Sequence, residues 1–233
     1  KGFHVSDLPF TIDSFVCKSC SNNCEIQKVK IGGEKKPLFY GGRCELYEVD
    51  DRKGKGKDIP NYFEERLKYL MGDYQEEAPD GRITVGIPRA LMVFWQRFPF
   101  WRNYFKELDF RVVLSDPTDY QLTKKSLEIM VAETCFPVEL IHGHVDNLLQ
   151  KNVDFIFLPF IVNAKGTKTN PTNNPNCPWI QSYPFMLRSA FTDPKTKDKF
   201  LTPTLHFRYF GRVLNQEIAS FMKEKFGISK AKT

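Results

Sequence analysis

"RITVGIPRALMVFWQRFPFWRNYFKELDFRVVLSD", residues 82–116, decides the fold. It opens with a short apolar run closed by Gly86 and Pro88, the pattern of a strand buried on both faces. "RALMVFWQRFPFWRNYFKELD" is too long for a strand and predicts a helix bent near Pro99. Its aromatics suit an interface or a core, and a core is the simpler use. "FRVVLSD" returns to a strand. Strand, helix and strand in this order form a parallel unit with a right-handed crossover.

The alternation continues downstream. "LTKKSLEIMVAE" is helical, with Leu122, Leu127, Ile129 and Met130 as core positions, and "VELIHGHVDNLLQKN" is a second helix. "VDFIFLPFIV" reads as one strong strand, followed by the polar loop "NAKGTKTNPTNNPN" and by "CPWIQSYPFMLRSAF". "FLTPTLHF" and "VLNQEIASFMKEKF" close the chain as strand and amphipathic helix. Residues 82–233 are therefore expected to form an α/β domain with a doubly wound, mostly parallel sheet of the flavodoxin or Rossmann kind. In such sheets ligands bind beyond the carboxyl ends of the strands.

Upstream the character changes. Residues 1–57 read as a small Cys-rich β-hairpin module, with strands Glu25 to Ile31 and Pro37 to Tyr40 about a Gly32-Gly33 turn. Residues 58–81 read as a helix and a linker. In that helix Tyr62, Phe63, Leu67, Tyr69 and Leu70 make an apolar side, and Gly72 is the stop.

Hydrophobic residues make up 41% of the 233, enough for a core. No apolar run approaches the roughly 20 residues of a membrane span. "KGFHVSDLPF" lacks the apolar centre of a secretory signal and reads as a trimmed edge of a longer chain. The net charge of +6 is dispersed, and the densest basic cluster, "DRKGKGKD", is flanked by acids. Nucleic-acid binding wants a basic face with interleaved aromatics, which this sequence lacks. A cytoplasmic location follows as the expectation, with no membrane and no nucleic-acid partner.

Six cysteines fall in two sets. Cys17, Cys20, Cys24 and Cys44 come first, with a C-x2-C pair that can aim two thiolates at one centre and a hairpin that can return Cys44 to it. Without a secretory signal, such clustering points to metal ligands rather than disulfides. Four thiolates suit tetrahedral zinc or an iron–sulfur cluster, and zinc as a closed structural site is slightly favoured. Gly41 and Gly42 allow the tight backbone such a site needs. Four ordinary thiols in a loop-rich segment are the bland alternative. Cys135 and Cys177 form the second set, each close before a proline, "CFP" and "NCPW", where a turn would expose it. An ordinary buried thiol is equally compatible with either.

Other candidates are weaker. His142 and His144 are two residues apart, so on a helix they point about 200° apart and do not serve one site. His142 lies two turns from Cys135, about 10 Å away, which argues against a Cys–His pair. A histidine capped by backbone or solvent is the simpler reading of each. Glu133 and Glu139 flank Cys135 as solvated charges or as hydrogen-bonding neighbours. Arg89 follows a strand and could meet an anion or form a salt bridge. Phosphate-loop, dinucleotide-binding and nucleophile-elbow motifs are absent.

"GIPRAL…FWQRFPFWRNYFKELDFRVVLSD", "ETCFPVELIHGHVDNLLQKNVDFIFLP" and "NCPWIQSYPFMLR" together resemble the DUF2229-type domain of large CoA-substrate-specific enzyme activases. These are 2-hydroxyacyl-CoA dehydratase activators, related to double-cubane cluster proteins. "FVCKSCSNNCEI" with "YGGRCE" resembles the cysteine segment that precedes the domain in those chains. The resemblance implies ATPase domains elsewhere in the same longer chain, a dehydratase or reductase partner, and low-potential electron transfer. It also implies an iron–sulfur cluster, with Cys135 and Cys177 matching the cysteine-bearing loops of the related fold. A cubane needs at least three cysteines and this part offers two, so a third would come from beyond Thr233 or from another domain. No independent catalysis is expected of this chain. The alternatives are a docking domain with structural zinc and, more remotely, a CoA-ester-binding dehydratase-like enzyme.

Overall fold

The computed structural model describes residues 8–19, 22–34, 36–44, 46–47, 60–166, 174–209 and 211–228. The chain divides into two units, 1–61 and 62–233. In the first, β1 (Phe10–Val16), β2 (Glu25–Ile31) and β3 (Leu38–Tyr40) form an antiparallel sheet in the order β1-β2-β3. β2 and β3 fall within a residue of expectation. β1 was not foreseen, because its seven residues are all exposed and mix apolar with polar types.

Opposed residues share a face, so the register puts Phe10, Ile12, Val16, Leu38 and Tyr40 together on one side, all exposed. Phe15 and Phe39 lie on the other, where their rings meet Tyr47 at 5.5 and 5.3 Å. Among the described residues of this unit only Cys17 and Ile26 are buried apolar side chains. So small a core needs a staple to fold alone.

The second unit begins with α1 (Tyr62–Met71), ended by Gly72. Leu67 and Met71 pack on the core, whereas Tyr62, Phe63 and Tyr69 are 71%, 82% and 81% exposed. The apolar side is thus narrower than the sequence suggested.

Four parallel strands follow: β4 (Thr84–Ile87), β5 (Arg111–Leu114), β6 (Phe155–Phe157) and β8 (Phe200–Leu201), in the order β5-β4-β6-β8. The chain steps from β4 to β5 on one side, then crosses back to β6 and β8 on the other. That reversal makes the gap between the carboxyl ends of β4 and β6 the topological switch point. One face is covered by α2 (Leu91–Trp95), α3 (Phe98–Glu107) and α8 (Arg212–Phe226), which bury Phe94, Trp101, Phe105, Ile218 and Met222 against Val85, Leu114 and Phe157. The other is covered by α5 (Phe136–Gln150) and α6 (Pro178–Ala190), against Val113, Ile156 and Phe200. The expected doubly wound α/β fold is what the chain adopts.

Prolines explain two departures. The helix expected to bend near Pro99 is two helices, with Pro99 in the first turn of α3, where a missing N–H costs no bond. The strand expected over 153–162 is broken at Pro159 into β6 and β7 (Phe160–Asn163), and β7 pairs with β9 (Thr204–His206) in a separate two-stranded ribbon.

α4 (Tyr120–Ile129) buries Leu122 as expected but exposes Leu127, and buries Thr123 and Ser126 instead. The cause is its crossing with α5 at Gly143. A Cβ there would lie 2.3 Å from Ser126 Oγ and 2.5 Å from the Leu122 carbonyl oxygen, so only small groups fit the contact. A short helix, α7 (Pro194–Asp198), precedes β8. Among the described residues no helix is long and apolar enough to cross a membrane.

Candidate functional site

The carboxyl ends of β4 and β5 are locked together by hydrogen bonds. The Arg89 backbone N–H donates to Ser115 Oγ at 2.8 Å, and Arg89 Nε donates to the Ser115 carbonyl at 2.7 Å. Ser115 Oγ lies 2.8 Å from His144 Nδ1, and Thr118 Oγ1 lies 3.1 Å from His144 Nε2. The two hydroxyls thus partner both ring nitrogens of the imidazole, with Ser115 Oγ also accepting from Arg89. Burial, with the positive charge of Arg89 in addition, pushes the His144 pKa down to about 4.

Lys151 joins the same corner. Its Nζ reaches Asp116 Oδ1 at 2.9 Å and the Leu114 carbonyl at 2.9 Å. Lys151 and Asn147 hold the Asp116 carboxyl below its ordinary range. Backbone strain is local too: Leu91, the first residue of α2, has φ +50°. That conformation costs a non-glycine residue about 1–2 kcal/mol, and the buried Leu91 side chain holds it in place.

His144 is fully buried, so this corner braces the carboxyl ends of β4 and β5 rather than presenting a reactive group. His142 is buried as well, with Nδ1 3.0 Å from the Glu139 carbonyl and Nε2 unpartnered. Neither histidine is solvent-capped. The sequence reading missed Ser115, whose only signal was a hydroxyl at a strand end.

Cys135 and Cys177 occupy equivalent places. Each is exposed, each is the N-cap of a long helix, α5 or α6, and each precedes a proline in the first turn. The carbonyl of Cys135 accepts from Val138 and Glu139, and that of Cys177 from Ile180 and Gln181. Glu139, buried, turns its Oε1 back to the Thr134 N–H at 3.1 Å. Glu133 is exposed. Asn176, beside Cys177, is tied to β7 through the Ile161 carbonyl at 2.8 Å.

Both helices pack on the same sheet face and both lead back toward the start of a following strand. Topology therefore puts both cysteines at the carboxyl edge of the sheet, on one face.

In the N-terminal unit, Cys17, Cys24 and Cys44 line one cavity of about 20 Å³, with Tyr47 also on its wall. Cys20 lies outside the described residues. The Cys17 N–H bonds the Cys24 carbonyl at 2.8 Å, holding the two cysteines across the hairpin. Gly41 has φ +90°, and a Cβ on it would meet the Glu25 carbonyl oxygen at 2.4 Å. Only glycine lets the loop to Cys44 come this close to the β2 start. The Ser19 N–H donates to Cys17 Sγ at 3.5 Å. Ser19 and the Tyr47 hydroxyl together hold the Cys17 thiol below its usual pKa, while the Tyr47 phenol is raised by Cys17. None of the described cysteines is in a disulfide. Among the described residues, no three Cys, His, Asp or Glu side chains close on a common point as metal ligands.

A family model described as CoA enzyme activase uncharacterised domain (DUF2229) matches residues 84–233. No curated protein and no solved structure gives a match.

Proposed function

The chain belongs to the family of CoA enzyme activase uncharacterised domains (DUF2229), and from that premise we propose a role in low-potential electron transfer. In this reading it is part of an ATP-dependent activator of 2-hydroxyacyl-CoA dehydratase-like enzymes and takes part in holding an iron–sulfur cluster. The observation that carries this is the matched placement of Cys135 and Cys177, two exposed helix-capping thiols at one edge of the sheet. Exposed cysteines at loop ends suit cluster ligation and leave the site open to a partner.

The donor set is incomplete. Clusters are ordinarily held by four cysteines, and the described α/β residues supply two. The remaining ligands would come from elsewhere in a longer chain or from the partner enzyme, so no electron-transfer step is assigned to this chain alone. In this reading ATP hydrolysis belongs to other domains of a longer chain.

The test is anaerobic reconstitution of the chain together with its activase partner domains, followed by iron and sulfide analysis. Cys135→Ser and Cys177→Ser are each expected to lower the iron bound. Iron content indifferent to both substitutions would overturn the assignment. A docking domain with structural zinc is the second reading, favoured by Cys17, Cys24 and Cys44 lining one cavity.

A further inference from the structure

We infer that Glu139 and Gln181 are a matched pair of positioning residues, each clasping the backbone of the residue before one cysteine and so fixing where Cys135 and Cys177 stand. The inference rests on the reading of these two thiols as the working residues of the domain, and adds what holds them.

The two clasps share a geometry and no residue beyond the cysteine. In "TCFPVE" and "NCPWIQ" the clasping residue comes four positions after the cysteine, at the fourth place of α5 and of α6. Glu139 Oε1 accepts the Thr134 N–H at 3.1 Å, and Gln181 Nε2 donates to the Asn176 carbonyl at 2.7 Å. The bonds run in opposite senses. Position 139 must offer an oxygen and position 181 an N–H, which a carboxylate and an amide respectively supply.

Glu139 is buried, where a carboxylate is costly unless it is hydrogen-bonded. Among the described residues the Thr134 N–H has no other acceptor, and the Thr134 hydroxyl has no partner. Glu139 is thus the side-chain tie between α5 and the turn that carries Cys135. Asn176 is held more firmly. Besides the bond from Gln181, its N–H donates to the Val162 carbonyl at 2.9 Å and its Nδ2 to the Ile161 carbonyl at 2.8 Å. Both clasps grip the backbone behind the cysteine, so the thiols stay exposed while their position is fixed. A binding group works best when neighbours lock it in one geometry.

The experiment uses the whole chain without added metal. Alkylation rates of Cys135 and Cys177 are read by mass mapping in the wild type and in variants of similar side-chain size. Glu139→Met should raise the Cys135 rate about fivefold or more and leave Cys177 unchanged. Gln181→Met should raise the Cys177 rate alone, and by a smaller factor, because Asn176 keeps its two bonds to β7. Glu139→Gln retains the acceptor and should retain the wild-type rate. Asp154→Ala, at the opposite edge of the sheet, should change neither thiol. Equal rates in Glu139→Gln and Glu139→Met would assign the effect to charge and overturn the clasp. Wild-type rates in both methionine variants would overturn it too, as would both thiols quickening together. Iron content supplies a second arm: in the reconstituted activase, Glu139→Met should lower the iron bound and Glu139→Gln should not. Iron indifferent to Cys135→Ser and Cys177→Ser, with the alkylation pattern as expected, would overturn the cluster reading and leave the clasps standing.

Discussion

His144 Nδ1 lies 2.8 Å from Ser115 Oγ, and burial keeps this imidazole neutral inside the fold. Its pKa is about 4 when folded, against 6.5 in an open chain. Above pH 6.5 neither state takes up a proton and His144 adds no pH dependence. As pH falls from 6.5 toward 4 the unfolded chain binds a proton that the folded one refuses, so stability is lost. The loss approaches about 1.4 kcal/mol per pH unit, or about 3 kcal/mol over the interval. Urea unfolding at pH 7 and pH 5 should show this, and His144→Gln should flatten the dependence. His142, also depressed by burial, adds in the same direction and keeps some slope in the variant. An unaltered slope in His144→Gln would count against the buried neutral histidine.

Gly143→Ala should destabilise the α/β unit by about 2–3 kcal/mol, through overpacking at the α4–α5 crossing. The new methyl would meet the Leu122 backbone at 2.5 Å, which cannot move aside as a side chain can. Gly86→Ala is the comparison. Its nearest neighbours are the Leu148 and Val153 side-chain tips at 3.0 and 3.1 Å, so its cost should be smaller. Chemical denaturation ranks the two, and the reverse order would contradict the crossing geometry.

Asp154 ties the starts of the central strands. Its Oδ2 accepts both the Thr84 N–H at 2.8 Å and the Thr84 hydroxyl at 2.6 Å. Asp154→Ala leaves both donors of a buried threonine unpaired, a loss of about 1–3 kcal/mol. Thr84 holds the carboxyl below its ordinary pKa, so its contribution is present at neutral pH and fades as the group protonates in acid. A wild-type denaturation midpoint in Asp154→Ala would remove this pair from the account.

Thiol accessibility should follow burial. In metal-free native protein, Cys44, Cys135 and Cys177 are exposed and should alkylate within the fast phase, with Cys17 far slower. Mass mapping after a short iodoacetamide pulse reads this directly. Fast labelling of Cys17 would contradict its position behind Ser19 and Tyr47.

The sequence disclosed what periodicity encodes. The apolar runs at Thr84–Ile87 and Arg111–Leu114 and the long helix over Phe136–Gln150 were all legible, because each pattern repeats within a few residues. Contacts made by distant residues were not. Leu127 looked like core on its own helix, yet the close α4–α5 crossing admits Ser126 in its stead. His142 and His144 do point apart as their spacing implied, but α5 is covered on several sides, so both are buried. Ser115 gained its importance only when Arg89 and His144 arrived from other elements. Of the candidate cysteines, the sequence located the turns that carry Cys135 and Cys177. It could not reveal that both cap helices on one sheet face, since that depends on the strand order.

The broken strand carries one more implication. Phe157 pairs with Leu201, and past the break Phe160 pairs with Thr204, so the two strands resume at the offset they left. By that register Pro159 stands opposite Pro203, and the pair forms a shared crease across both strands. Deleting one residue at either proline alone would slide the outer ribbon by one step and turn its side chains to the wrong face. Two positions far apart in the chain are thereby coupled, and a length change at one proline keeps the register only with the matching change at the other.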